Sequence, residues 1–336
     1  MIASFTLVVV VVIVALIFDF VNGFHDAANA IATIVISKTL TPLQAVILAG
    51  AANFVGYFAF GLAVAKMIGK GVVHIDQVTL PLLLATLLGA VLWNIFTWLM
   101  GLPTSSSHAL IGGLVGSGIA AAGAKVVIWG GVFKIFAFIF IAPIVGGIGA
   151  GLFTVLTIWI FRKSHPAKNG PIFKTLQLVA CICSSVGHGT NDAQKTMGII
   201  ALALLTGGLT SSFVIPRWVV LAAYTSISLG TVFGGWRIVK TMGTSITKIR
   251  EMEGFCSNAA AACVLIGTSH FGIPVSTTHV ISGSIMGVGA VEHAAKVRWI
   301  TARKILWAWI LTIPTAAVFA GLSYMAIGPY LLAHTR

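Results

Sequence analysis

The chain has 336 residues, of which 58% are hydrophobic and 8% are charged, and its mean hydropathy is +1.04. A soluble domain carries about 25% charged residues, so this composition excludes a soluble globular protein and predicts several membrane helices of about 17–25 residues. The net charge of +13 lies mainly in loops, where it indicates orientation in the membrane and not binding to nucleic acid.

The first half of the sequence alternates apolar runs with short polar segments. The first run ends at a polar segment, residues 22–30, which we predict to break the helix. The run 105–122 is short and rich in glycine, which favours a re-entrant or broken helix. The run 131–161 suits one tilted helix or two pieces broken at Pro143. The predicted helices or helix pieces of this half are residues 2–21, 43–65, 79–100, 105–122 and 131–161.

A basic segment with two prolines and a glycine, Arg162-Lys163-Ser164-His165-Pro166-Ala167-Lys168-Asn169-Gly170-Pro171, lies near the middle of the chain. By the positive-inside rule we place it in the cytoplasm. It divides the chain into a first half, residues 1–161, a linker, residues 162–172, and a second half, residues 173–336. The loop after the second span is more basic in the second half than in the first, which indicates opposite orientations of the two halves.

The second half repeats the polar features of the first half in the same order. Gly187-His188-Gly189-Thr190-Asn191-Asp192-Ala193-Gln194-Lys195 corresponds to residues 22–30, with Asp192 placed 192 − 26 = 166 positions after Asp26. Pro274-Val275-Ser276-Thr277-Thr278-His279 follows Pro103-Thr104-Ser105-Ser106-Ser107-His108 by 274 − 103 = 171 positions. Paired interruptions of this kind indicate the substrate site of a transporter. Further spans are predicted over residues 214–236, 255–269 and 305–332.

The acids of the repeated polar segments are candidate ligands for a coupling cation. A carboxylate at bilayer depth costs about 2.5–3.5 kcal/mol on insertion scales, so it is retained mostly for function. Hard cations prefer carboxylate, amide and carbonyl oxygens, which Asp26, Asn29, Asn191 and Asp192 offer. The alternative is that each acid caps the helix piece after it. Lys195 occupies the position that corresponds to Asn29 (29 + 166 = 195), where we predict that its ammonium replaces one cation; snorkelling to the interface is its alternative role.

The hydroxyl clusters are candidate phosphate-binding residues. Unpaired backbone N–H groups and the positive end of the helix dipole make a helix start suitable for an anion. The alternative is that small hydroxyl residues allow helices to pack closely. The candidates are Thr104, Ser105, Ser106, Ser107, Ser276, Thr277 and Thr278.

Four histidines beside these motifs are candidate proton carriers: His25, His108, His188 and His279. A structural role in hydrogen-bonding the loops is an equal alternative. No HExxH or GxSxG spacing is present, so we expect no enzyme. We also expect no cofactor and no structural metal site.

Charge balance favours symport. A phosphate and two buried carboxylates bring more negative charge than Lys195 and two helix N-termini, at about +0.5 each, can neutralise. Protons or sodium ions must therefore enter with the anion, or the phosphate must enter as a complex with a divalent metal. The alternative function is an inverted-repeat channel for a small solute such as ammonium, with His108 and His279 lining its pore.

These motifs resemble those of the inorganic phosphate transporter (Pit) family. The segment Phe18-Asp19-Phe20-Val21-Asn22-Gly23-Phe24-His25-Asp26-Ala27-Ala28-Asn29-Ala30 looks like its first signature, and residues 187–195 look like the second in bacterial members of the low-affinity type. The resemblance implies an all-α multi-pass protein of the plasma (inner) membrane with about 10–12 transmembrane or re-entrant segments in two inverted repeats with broken helices. It also implies cation-coupled phosphate uptake and a homodimer. His25 and Lys195 depart from the sodium-coupled pattern, which favours protons.

Overall fold

The computed structural model describes residues 2–59, 61–164 and 166–335. This part of the chain is helical, with one isolated β-bridge between Val73 and Val127, so the all-α prediction is confirmed. Its α-helices are α1 (Ile2–Ile36), α2 (Pro42–Ala59), α3 (Ala63–Gly71), α4 (Leu80–Leu99), α5 (Ser106–Ala122), α6 (Trp129–Phe161), α7 (Pro166–Thr206), α8 (Arg217–Phe233), α9 (Trp236–Thr244), α10 (Glu251–His270), α11 (Thr277–His293) and α12 (Trp299–Thr335).

Five of these helices, α1, α4, α6, α7 and α12, are long and apolar enough to cross a membrane. Two further pairs are bent spans or re-entrant elements, with angles of 83° between α2 and α3 and 70° between α8 and α9. Counting each bent pair as one span raises the number of crossings to as many as seven. Among the remaining helices, α5 is a shorter apolar helix.

The predicted helix breaks at the polar segments are wrong. Helix α1 continues through residues 22–30, and α7 continues through residues 187–195. The polar side chains of both segments are buried. Most of them find partners inside the protein, so the helices continue with their backbone hydrogen bonds intact. The breaks lie instead between α2 and α3, between α8 and α9, and at the two segments that carry the hydroxyl clusters. These segments, residues 101–107 and 272–278, are called the hydroxyl loops, and each includes the first residues of the helix that follows. Helix α6 also passes through Pro143 without ending.

The predicted linker is mostly helical. Helix α7 begins at Pro166 and contains Pro171, so in the described chain only residues 162–164 lie between α6 and α7, and His165 lies outside the described residues. A proline at the first position of a helix is tolerated because that N–H group has no intrahelical partner. The boundary between the two halves stays a prediction.

The first helices of the two halves run in opposite directions. Thr196 of α7 contacts Asp19 of α1, whereas Cys181 of α7 contacts Ala30 of α1. Apolar side chains from the early part of α1 and the late part of α7 pack in one buried cluster, and those from the late part of α1 and the early part of α7 pack in a second. The polar segments of both helices therefore lie between two buried apolar clusters.

Each half packs on the other through its hydroxyl loop and the helix that follows. Helix α5 packs on α12 as well as on α4, and α11 packs on α6 as well as on α10. Glycines allow this close contact: a Cβ atom on Gly116 would lie 1.9 Å from the Ala317 carbonyl oxygen, and one on Gly287 would lie 2.1 Å from the Gly147 carbonyl oxygen. Because α5 packs on α12 of the second half and α11 packs on α6 of the first half, the two hydroxyl loops come together in the interior.

Candidate functional site

Two loops of the same geometry carry the hydroxyl clusters. Gly101 and Gly272 both adopt φ of +66°, a left-handed conformation that ends a helix without a Cβ clash. The residue after each glycine donates its N–H to the carbonyl oxygen five residues earlier in the sequence. These bonds run from Leu102 to Thr97 and from Ile273 to Thr268, both at 2.9 Å. The chain then turns and begins α5 or α11.

The helix starts predicted at the hydroxyl clusters are confirmed. Ser105 Oγ accepts the N–H of His108 at 3.1 Å, and Ser276 Oγ accepts the N–H of His279 at 3.2 Å. Both serines are therefore N-cap residues. Each hydroxyl still has its own proton to donate. Ser106 Oγ is buried and has no hydrogen-bond partner among the described residues.

The polar segment of α1 joins the hydroxyl loop of the other half. Asn29 Nδ2 donates to Thr278 Oγ1 at 2.9 Å and lies 3.2 Å from Thr277 Oγ1. Thr278 Oγ1 lies 3.4 Å from Asp26 Oδ1. Asn29 Oδ1 is buried without a partner in the described structure. Asp26 through a carboxylate oxygen and Asn29 through its amide nitrogen thus both contact the hydroxyl groups of the second loop.

On the side of the first half, His25 connects the acid to the first hydroxyl loop. Its Nδ1 lies 2.7 Å from Asp26 Oδ1, and its Nε2 lies 3.2 Å from Thr97 Oγ1 and 3.4 Å from Thr104 Oγ1. Thr104 Oγ1 also donates to Thr97 Oγ1 at 2.9 Å. This chain of contacts fixes the imidazole against the acid.

The polar segment of α7 is centred on a buried ammonium. Lys195 is 1% exposed, and its Nζ donates to Asp192 Oδ1, to Ser107 Oγ and, at 3.1 Å, to the Val275 carbonyl oxygen. Thr277 Oγ1 donates to Asp192 Oδ2 at 3.2 Å. Three oxygens of different chemical type therefore surround one positive charge, and they come from α7 and from both hydroxyl loops.

The acids of the two halves lie side by side. One ligand atom each of Asp26, His188 and Asp192 lies within 4.8 Å of the others. His188 Nε2 is 3.2 Å from Asp192 Oδ2, and His188 Nδ1 is 3.2 Å from Asn53 Oδ1. Two carboxylates and an imidazole are side chains that can together bind a divalent cation.

Three predicted site residues lie apart from the acids. His108 and His279 are paired with each other at a ring distance of 4.9 Å, and His279 stacks on Trp309 at 4.0 Å. Their four ring nitrogens are buried and have no hydrogen-bond partner among the described residues. Asn191 Nδ2 donates to Ser269 Oγ at 3.2 Å. The roles of these residues as proton carriers or cation ligands stay predictions.

Sequence reasoning missed Asn53, Thr97 and Trp309. Asn53 and Thr97 hold His188 and His25, and Trp309 Nε1 donates to the Pro103 carbonyl oxygen at 2.9 Å. Asn53 and Thr97 are polar residues within apolar runs, which is the signal that could have found them. Trp309 carried no such signal, because tryptophan is common in membrane helices.

The chain was compared with known proteins. The sequence model described as the phosphate transporter family matches residues 22–320. A probable low-affinity inorganic phosphate transporter of Rhizobium meliloti (strain 1021) is 48% identical over 324 residues, which cover 96% of this chain and 97% of the relative. A protein of the same description from Bacillus subtilis (strain 168) is 45% identical over 327 residues, with the same coverage.

A solved structure described as the sodium-dependent phosphate transporter has the same fold, with a TM-score of 0.85. The two sequences are 24% identical, and the alignment covers 96% of this chain and 99% of that one. At 24% identity the similarity shows that the two proteins share a fold, and it shows nothing more.

Proposed function

The chain belongs to the phosphate transporter family, and from this premise we propose that it carries inorganic phosphate across the plasma membrane by symport with protons. It is a multi-pass membrane protein of phosphate transport, not an enzyme. The solved neighbour is described as sodium-dependent, but its low identity does not transfer its coupling ion to this chain.

The contact set of Lys195 carries this proposal. Its ammonium binds a carboxylate, a hydroxyl and a carbonyl oxygen, which are the ligand types that a sodium ion prefers. The corresponding residue of the first half, Asn29, contributes an amide. A permanent cation in one of two related positions removes the need for one mobile cation. The remaining negative charge, introduced by phosphate beside Asp26 and Asp192, then favours a small cation such as a proton.

The hydroxyl loops are the proposed phosphate site. Their predicted ligands, Thr104 to Ser107 and Ser276 to Thr278, are all buried, and both loops start helices whose N–H groups favour an anion. Ser107, Thr277 and Thr278 lie directly against the charged residues. An anion bound there would contact the cationic and acidic groups of both halves at once.

The transported species is either free phosphate or its complex with a divalent metal. Asp26, His188 and Asp192 would ligate the metal of such a complex, which enters as part of the substrate. Uptake measured with magnesium and with a chelator separates the two species. The homodimer stays a prediction from family resemblance, and the mass of the purified protein in detergent tests it.

Uptake of labelled phosphate into proteoliposomes tests the coupling ion. The external pH is held constant while the vesicle interior is made alkaline, or a sodium gradient is imposed at equal pH. We expect accumulation with the pH gradient, and we expect a protonophore to abolish it. Uptake that requires sodium and ignores the pH gradient would overturn proton coupling. Passive equilibration under every gradient would instead indicate a channel, which no comparison above supports.

A further inference from the structure

A polar row on α1 continues beyond the proposed phosphate site. Asp19, Asn22, Asp26 and Asn29 recur every three or four residues and so share one face of the helix. Their exposed fractions are 0%, 1%, 3% and 4%. Asp26 and Asn29 belong to the site described above. Asp19 and Asn22 lie nearer the start of α1, and the proposed function gives them no role.

Asp19 has an unused carboxylate oxygen. Thr196 Oγ1 donates to Asp19 Oδ1 at 2.9 Å, and Thr196 directly follows Lys195 on α7. Asp19 Oδ2 is buried without a hydrogen-bond partner in the described chain, as are both polar atoms of the Asn22 amide. A buried oxygen without a partner is costly, so this oxygen is suited to carry a hydrogen atom.

No cationic group of the described residues lies within 4.0 Å of Asp19. The ionisable groups that act on it are Asp192 and Lys195 of α7 and Tyr224 of α8, and α4 has no titratable residue. The ammonium of Lys195 is already bound to Asp192. An ionised carboxylate that is buried without a cation destabilises the folded protein, and a proton is the smallest partner that neutralises it.

The acid is present in one half only. The position of the second half that corresponds to Asp19 (19 + 166 = 185) is Ser185, whose hydroxyl is also buried without a partner among the described residues. Asp19 lies on the side of the phosphate site where α1 begins and α7 ends, because Gly207, the residue that follows α7, lies against Val8 of α1. This side is opposite to the basic turn at Arg162.

We propose that Asp19 is a proton-binding site of the transport cycle. Its carboxylate takes one proton on Oδ2 from the side where α1 begins, holds it while the phosphate site changes its access, and returns it to water on the opposite side. The Oδ2–H bond forms as an O–H bond of a hydronium ion on the first side breaks, and it breaks again when a water molecule on the opposite side accepts the proton. The inference rests on the proposed proton symport and adds the residue that carries the proton.

Asp19→Asn tests the inference, because an amide keeps the shape of the protonated acid and cannot release the proton. One proton moved down a gradient of one pH unit contributes about 1.4 kcal/mol, which is about a tenfold accumulation of phosphate. We expect the variant in proteoliposomes to lose this tenfold factor and the accompanying acidification of the interior. Exchange of labelled for unlabelled phosphate at equal pH should continue. Asp76→Asn, at an exposed loop position, is the matched control and should keep proton-driven accumulation.

The outcomes separate this inference from the proposed function. A wild-type protein that ignores the pH gradient would overturn both. A wild-type protein that responds, with an Asp19→Asn variant that accumulates phosphate equally well, would overturn the role of Asp19 alone. A variant that loses a response to sodium would overturn it in favour of a metal-cation site. If Asp19→Asn also loses phosphate exchange, the Asp19→Glu variant decides. Restored phosphate accumulation with a shifted pH dependence would support proton binding by the acid at this position, and an inactive Asp19→Glu protein would overturn it.

Discussion

Replacement of Lys195 by asparagine should convert a fixed positive charge into a binding site for sodium. In the wild-type protein the ammonium contacts Asp192 Oδ1, Ser107 Oγ and the Val275 carbonyl oxygen. The shorter amide side chain removes the ammonium and leaves these three oxygens facing the space it filled. It also adds an amide oxygen, as Asn29 does in the first half. Four oxygens of these types suit a hard cation.

The size of the effect follows from burial. Lys195 and Asp192 are 1% and 0% exposed, and removal of one partner from a buried ion pair costs about 3–5 kcal/mol. A cation that binds only the folded protein returns about 2.7 kcal/mol at a concentration 100 times its Kd. Sodium should therefore restore a large part of the stability lost in Lys195→Asn and should leave the wild-type protein unchanged.

Two measurements check this prediction. The melting temperature of the purified variant should rise with sodium chloride and not with choline chloride, and its phosphate uptake should become sodium-dependent. Lys195→Met is the matched control, because it also removes the charge but offers no oxygen ligand. A folded Lys195→Asn protein that binds phosphate yet shows no response to sodium in either measurement would refute the reasoning.

The remaining predictions concern the acids and the helix starts. A carboxylate accepts a hydrogen bond from the O–H of monohydrogen phosphate and repels sulfate, which has no such donor. Asp26→Asn should therefore reduce the preference for phosphate over sulfate in competition assays, and an unchanged preference would contradict this. Asp192→Asn should lower the melting temperature by leaving a buried ammonium without its carboxylate, a loss of about 3–5 kcal/mol, and Asp26→Asn should lower it less because the neighbour of Asp26 is a histidine. Ser105→Ala and Ser276→Ala should each cost about 0.5–2 kcal/mol in thermal unfolding through loss of the N-cap. Ser106→Ala should weaken phosphate binding without this loss, and equal melting temperatures for all three variants would count against the distinction.

The hydroxyl clusters show how much local sequence can predict. The hydroxyl residues that follow Pro103 and Pro274 predict a helix start at each cluster, and α5 and α11 begin there. The prediction succeeded because the signals are local: a glycine that tolerates positive φ and a serine that reaches the N–H three residues ahead. Neither signal depends on the rest of the chain.

The polar segments of α1 and α7 show where local sequence fails. Asp26 and Asp192 in apolar runs were interpreted as helix ends, because an isolated helix in lipid cannot satisfy such groups. The helices continue because Thr277 and Thr278 reach the acids from distant parts of the chain, while Lys195 pairs with Asp192 from the next turn of the same helix. These partners are up to 252 residues apart in sequence, and no periodic pattern reports contacts of that separation.

The sequence by itself determined the class of the protein, the order of its two halves and the residue types of the candidate site, because composition and local motifs depend on neighbouring residues only. Tertiary structure decided which groups meet. Helices α1 and α7 run in opposite directions between two apolar clusters, and each hydroxyl loop contacts the other half. The charge of Lys195 therefore lies against Asp192 and Ser107, and among the described residues no ion pair joins it to Asp19.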